Sequence, residues 1–140
     1  MSRSDHIILK TEIEAGLFLL TISDLKMHKK SNGDLILHED NPAVIVSFKN
    51  DNKVHQELYW IGSSNYTKLQ RIILQVGLDP NKQISKKEIV GKQIMGLIKE
   101  IKTMRGSQEI GSKMVLSDTY PIDSVLPAYY ETIQYNQEGF

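Results

Sequence analysis

The spacing of apolar residues changes twice along this chain, and this change limits the folds open to it. Apolar side chains recur at the period-two spacing of strands over residues 16–27, 43–49, 54–61, 92–104 and 109–117, loosely in the fourth segment and more weakly in the fifth. Between the third and fourth of these segments, residues 66–76 place their apolar side chains at helical spacing. We therefore predict a mainly β protein with one main helix, in the order β-β-β-α-β-β.

Turn residues separate these segments at the expected places. Asn32-Gly33 and the polar run 50–53 predict tight turns, the second closing a β-hairpin. Gly77 suits the end of the helix. A short strand over 35–38 and a single helical turn over 85–91 complete the pattern, since Ser85 and Glu88 have capping-box spacing. Residues 92–104 fit a strand or a helix by apolar count, and their β-branched residues and glycines favour a strand.

Segment 16–27 is apolar on both faces. Phe18, Leu20 and Ile22 share one face at period two, while Leu17, Leu19, Leu25 and Met27 fall on the other. This pattern is typical of a curved barrel strand. Together with the order of elements, it predicts a five-stranded OB-fold barrel, an architecture that commonly binds oligonucleotides.

Composition narrows the class of protein. A chain of 140 residues with 40% hydrophobic residues is one globular domain, which we place at residues 1–120, followed by a tail over 121–140. The tail holds three carboxylates and no Lys or Arg. Because the chain has no cysteine, no long apolar run and no signal-peptide pattern, we expect a cytoplasmic protein that does not enter membranes.

Catalytic and metal-binding motifs are missing from the sequence. The four histidines, His6, His28, His38 and His55, have no metal-ligand spacing, so we interpret them as solvated or turn residues. No phosphate-binding glycine loop or nucleophile motif occurs. We therefore expect no enzymatic activity, no cofactor and no metal.

Basic residues cluster where an OB-fold binds its ligand. In that fold the loop between strands one and two and the loop between strands four and five flank the binding face. We place two basic clusters there, one at Lys26 to Lys30 and one between Lys82 and Arg105. Candidate phosphate-binding residues are Lys26, Lys29, Lys30, Lys92, Lys99, Lys102 and Arg105. Stacking on bases requires an exposed aromatic ring, and adjacent Tyr59 and Trp60 must face opposite sides of their strand. Tyr59 shares its face with two polar residues, His55 and Glu57, which favours Tyr59 as the outward ring. Trp60 could face either way.

Four short motifs extend this argument. They are Ala15-Gly16-Leu17-Phe18, then Lys29-Lys30-Ser31-Asn32-Gly33 with the later Ser47-Phe48, then Tyr59-Trp60, and finally the run from Leu69 to Leu78 with Ile89-Val90-Gly91-Lys92. In this pattern the chain resembles a family of small phage-encoded proteins with a single-stranded-DNA-binding OB-fold, found among replication and recombination genes. The resemblance covers about two thirds of the chain and departs from the family at 35–42.

The resemblance implies binding of single-stranded nucleic acid, preferably DNA, without sequence specificity, in the cytoplasm of a phage host. Phage and bacterial proteins of this kind often end in an acidic tail tipped by Phe, and this chain ends in Phe140, a candidate contact for replication or recombination proteins. The alternative is a protein–protein adaptor, such as a viral factor that binds a host protein, built on the same barrel. The sequence does not decide between a monomer and a homo-oligomer.

Overall fold

A computed structural model of the protein describes residues 9–122 and shows a mainly β fold. This part of the chain contains six strands and two helices. They are β1 (Gly16–Met27), β2 (Leu37–His38), β3 (Asn41–Asn50), β4 (Lys53–Trp60), α1 (Tyr66–Gln75), α2 (Lys86–Ile89), β5 (Gln93–Arg105) and β6 (Gln108–Tyr120). The predicted mainly β class is confirmed, and the five long strands and α1 follow one another in the predicted order.

All strand pairs are antiparallel and form one sheet. Its order is β2-β3-β1-β5-β6, and β4 pairs with β3. Residues 10–12 lie along the other side of β4, where the Glu12 N–H donates to the Val54 carbonyl at 2.8 Å and the Gln56 N–H donates to the Lys10 carbonyl at 2.7 Å. The register of the five long strands therefore shows which side chains share each face of the sheet.

A β-bulge explains why β1 is apolar on both faces. The register with β3 shifts between Ile22 and Asp24, so Ile22 lies opposite Phe48 and Leu25 lies opposite Val46. A single extra residue reverses the side-chain alternation beyond it. The second half of β1 therefore directs Leu25 and Met27 to the same face as Ile22, and they pack against the main core.

The helix α1 covers this core face. Its Leu69, Ile72 and Ile73 are buried against the sheet, and each buried aliphatic side chain stabilises the fold by about 1.5–3 kcal/mol. The helix ends before Gly77, which has a φ of 90°, a conformation that favours glycine. Asn65 precedes the helix, but its side chain makes no cap; its amide instead donates to the Leu58 carbonyl at 2.9 Å.

Among the described residues no backbone ladder joins β4 to β6, so the sheet is not closed there. One side chain bridges the gap: the Glu57 carboxylate accepts the Leu116 N–H at 2.9 Å. The same carboxylate oxygen contacts Nε2 of His55, which is fully buried. A second link joins α1 to β6, where Gln75 donates to the Thr119 carbonyl at 2.7 Å. The open side of the sheet is thus held by polar side chains.

Candidate functional site

The register of β4 decides the orientation of its two aromatic rings. Tyr59 lies opposite Val44, and Trp60 lies opposite Ala43. Directly opposite residues in an antiparallel pair share a face, and Val44 belongs to the main core. Tyr59 is accordingly only 2% exposed, and the prediction that it faces outward is wrong.

Polar neighbours misled that prediction because they are inside too. His55 and Glu57 share the face of Tyr59, and His55 is 0% exposed. His55 Nε2 contacts the Glu57 carboxylate, which also accepts the Leu116 N–H, so a polar group can lie on the buried face. Among residues 9–122, His55 Nδ1 is buried without a hydrogen-bond partner. Burial and the nearby Glu57 carboxylate raise the pKa of Tyr59 well above its ordinary value. The phenol therefore stays neutral in the folded protein.

Trp60 is the ring on the outer face, and it is half-buried. Its ring centroid lies 5.5 Å from that of His38 and 6.1 Å from that of His28. The backbone on both sides of the ring is fixed, because the Trp60 N–H donates to the Asn65 side chain at 2.9 Å and Ser63 Oγ donates to the Trp60 carbonyl at 2.8 Å. The tryptophan is thus a rigid platform with one neighbouring imidazole that is exposed, that of His38.

Next to Trp60 the outer face carries a cation. Lys26 lies opposite Ile45, and Ile45 lies opposite Leu58. These three residues form a row across the sheet, adjacent to the row that contains Ala43 and Trp60. Lys26 is exposed and Leu58 is half-buried. We call this side of the sheet the Trp60 face; Lys26, Leu58 and Trp60 reach its surface, whereas His28 and Ile45 on the same side are buried.

The loop between β1 and β3 contributes charges of both signs. Lys29 and Lys30 flank the Asn-Gly turn, where Asp34 accepts from the Asn32 side chain at 3.2 Å. At the other end, Glu39 and Asp40 join β2 to β3 with φ values of 51° and 66°, as a tight hairpin turn requires. This turn holds His38 against Trp60. The loop that contacts Trp60 through His38 therefore carries two lysines and three carboxylates, instead of a purely basic cluster.

The remaining candidate cations lie on β5. Lys92 directly precedes β5, and its carbonyl accepts the Ile22 N–H of β1 at 2.9 Å. Lys99 and Arg105 lie on the part of β5 that extends past Gly16, the first residue of β1. Lys102 lies there as well, with its Nζ 3.5 Å from Glu109 Oε2. The predicted cations therefore form two groups, one at the Trp60 face and one on the β5–β6 hairpin.

The sequence did not reveal Lys113 as a member of the β5–β6 cation group, and it gave the wrong burial for two histidines. Lys113 on β6 lies opposite Ile101 on that hairpin, and only the strand register reveals this position. The interpretation of the histidines as solvated is wrong for His28 and His55, which are buried, and agrees with the exposed His38. His6 and Phe140 lie outside the described residues.

Lys86, a basic residue at the start of α2, forms an ion pair with β1. Lys86 Nζ lies 2.6 Å from Asp24 Oδ1. This hydrogen bond lowers the pKa of the Asp24 carboxyl. Asp24 therefore offsets part of the positive charge of the region between 82 and 92.

Within residues 9–122 no group of three or more His, Cys, Asp or Glu side chains could hold a metal ion. No helix in the same range is long and apolar enough to cross a membrane. The sequence matches no protein-family model and no curated protein.

Proposed function

We propose that this protein is an OB-fold domain that binds single-stranded DNA without sequence specificity and without catalysis. The strand order β4-β3-β1-β5-β6 and the position of α1 between β4 and β5 support this fold. The Glu57 bridge to Leu116 supports a barrel whose last side is closed by side chains. The setting in phage replication or recombination rests on the sequence resemblance alone.

One observation carries the proposal: Trp60 is a half-buried ring on the outer face of β3 and β4, and its backbone is held by the Asn65 side chain. In an OB-fold this face binds the oligonucleotide. A base stacked on an aromatic ring contributes about 1–3 kcal/mol, whatever its identity. Lys26 lies two strands from Trp60 on the same face, and with Lys29 and Lys30 in the adjoining loop it supplies charge for the phosphates.

The experiment is a titration of labelled oligo-dT with the full chain at two salt concentrations. Trp60→Ala is expected to weaken binding about fivefold to one hundredfold, which corresponds to the loss of one stacked base. Trp60→Phe keeps a ring and is expected to lose less. Because Trp60 is the only tryptophan, stacking also changes the intrinsic fluorescence of the protein.

A matched pair of lysines tests the position of the phosphates. Lys26→Gln is expected to weaken binding and to lower the slope of log affinity against log salt by about 0.7. Lys53→Gln removes the same charge at the far end of the β3–β4 hairpin and is expected to leave both unchanged. Absence of oligo-dT binding by the native chain, or equal effects of the two lysine variants, would refute the proposal.

A further inference from the structure

The β5–β6 hairpin extends well beyond the sheet. Every residue from Lys99 to Lys113, which we call the arm, is exposed. Its β5 strand continues through Arg105 past the end of its pairing with β1, and seven residues of antiparallel strand span about 20 Å. At the tip, Gly106 has a φ of 63°, a value that a two-residue hairpin favours. The arm is therefore a two-stranded ribbon with both faces open.

The register divides the charges of the arm between its two faces. Lys99, Ile101, Thr103 and Arg105 alternate on one face of β5, and Lys113 shares that face because it lies opposite Ile101. We call this the cationic face. Over residues 99–115, all of which the structure describes, it carries three cations and no carboxylate.

The opposite face of the arm carries one cation, Lys102, and two carboxylates, Glu100 and Glu109. Lys102 lies 3.5 Å from Glu109, and Glu100 accepts from Ser112 Oγ at 3.1 Å. Lys99 and Lys102 are thus exposed lysines on opposite faces of one strand, and only Lys102 has a carboxylate partner. Only the cationic face presents an uncompensated row of positive charge.

The side chains of the arm suit a nucleic-acid duplex better than a single strand. Its exposed apolar residues are aliphatic, with Ile101 46%, Met104 51% and Ile110 53% exposed, and none of residues 99–113 is aromatic. Unpaired bases bind by stacking on rings, whereas paired bases are already stacked and a duplex offers mainly phosphates and sugars. The major groove also has room for a two-stranded β-ribbon.

We propose that the cationic face of the arm binds duplex DNA, so that the protein binds where a single strand meets a duplex. The inference rests on the proposed function for the single strand, which the Trp60 face holds, and adds a second class of substrate. Lys99, Arg105 and Lys113 contact duplex phosphates, and Ile101 packs against the sugars between them. The opposite face, where Lys102 is accompanied by Glu100 and Glu109, stays in solvent.

Three labelled DNAs test this with the full chain: oligo-dT, a blunt duplex, and the same duplex carrying an oligo-dT tail. The tailed duplex is expected to bind at least about tenfold more tightly than oligo-dT alone. The double variant Lys99→Gln/Lys113→Gln should lose this advantage and lower the salt slope for the tailed duplex by about 2. Its affinity for oligo-dT should stay the same.

Lys102→Gln is the matched control, because it removes one charge from the same strand on the other face; its effect is compared with that of Lys99→Gln. Equal affinity of the native chain for oligo-dT and the tailed duplex overturns the inference, and so do equal losses in Lys99→Gln and Lys102→Gln. Binding of the blunt duplex without any binding of oligo-dT refutes the proposed function and leaves the duplex site standing. Binding of none of the three DNAs refutes both.

Discussion

Gly96 lies on the core face of β5, where an added methyl group has no room. A Cβ built at this position would lie 2.5 Å from Leu20 Cδ1 and 2.7 Å from Leu116 Cδ1. Normal carbon contacts are about 3.5–4.0 Å, so each leucine methyl would have to move by about 1 Å. Both leucines are buried, with 0% and 4% exposure, and a well-packed core resists such movement.

Gly96→Ala is therefore expected to destabilise the protein. Overpacking of a core costs about 1–3 kcal/mol, and the reduced freedom of the unfolded chain offsets about 0.4–1 kcal/mol of this. The expected net loss is about 1–2 kcal/mol. Gly111→Ala on the same hairpin is the control: its Cβ would meet nothing within 4 Å, so it should leave stability unchanged or raise it slightly.

Urea unfolding followed by the fluorescence of Trp60 measures both variants. The urea midpoint of Gly96→Ala should fall, and that of Gly111→Ala should stay the same or rise slightly. The double variant Gly96→Ala/Leu116→Ala should lose less stability than the sum of the two single losses, because the shortened side chain at 116 removes one of the two clashes. Equal stability of the two glycine variants would show that the core face of β5 is assigned wrongly.

Three further predictions concern ionisable groups. Because burial, together with Glu57, raises the pKa of Tyr59 above the value near 10 of an unfolded chain, the stability it contributes is present below about pH 10 and lost as the pH rises further. Phenolate absorbance should show Tyr59 ionising only with unfolding. Lys86→Gln should raise the pKa of Asp24, measured by an NMR titration, and an unchanged midpoint would contradict the role of their hydrogen bond. Glu57→Ala leaves the Leu116 N–H without its acceptor and should cost about 1–3 kcal/mol in urea unfolding, whereas Glu57→Gln keeps an acceptor oxygen and should cost less.

Local pattern was enough to locate the secondary structure. The predicted strand over 16–27 has the observed bounds of β1, and the helix begins at Tyr66 and stops before Gly77 as expected. These features depend on side-chain period and turn residues, which act over a few positions. The sequence also identified Lys26, Lys99 and Arg105 as exposed cations.

Contacts between distant segments decided which side chains face the solvent. Tyr59 is inside because Leu116, far along the chain, supplies the hydrogen bond that lets Glu57 share the buried face. The bulge after Ile22 redirects Leu25 and Met27 toward the core, and alternation within β1 alone cannot reveal it.

The two faces of the arm show the same division between sequence and structure. The sequence by itself determined that residues 99–113 are rich in lysine and that they form strands joined by a turn at Gly106. Only the pairing of β5 with β6 placed Lys113 beside Ile101 and Lys102 near Glu109. The physical reason is that a shift of register by one residue moves every side chain of a strand to the opposite face, and that register is set by hydrogen bonds and bulges between segments which period and composition do not encode.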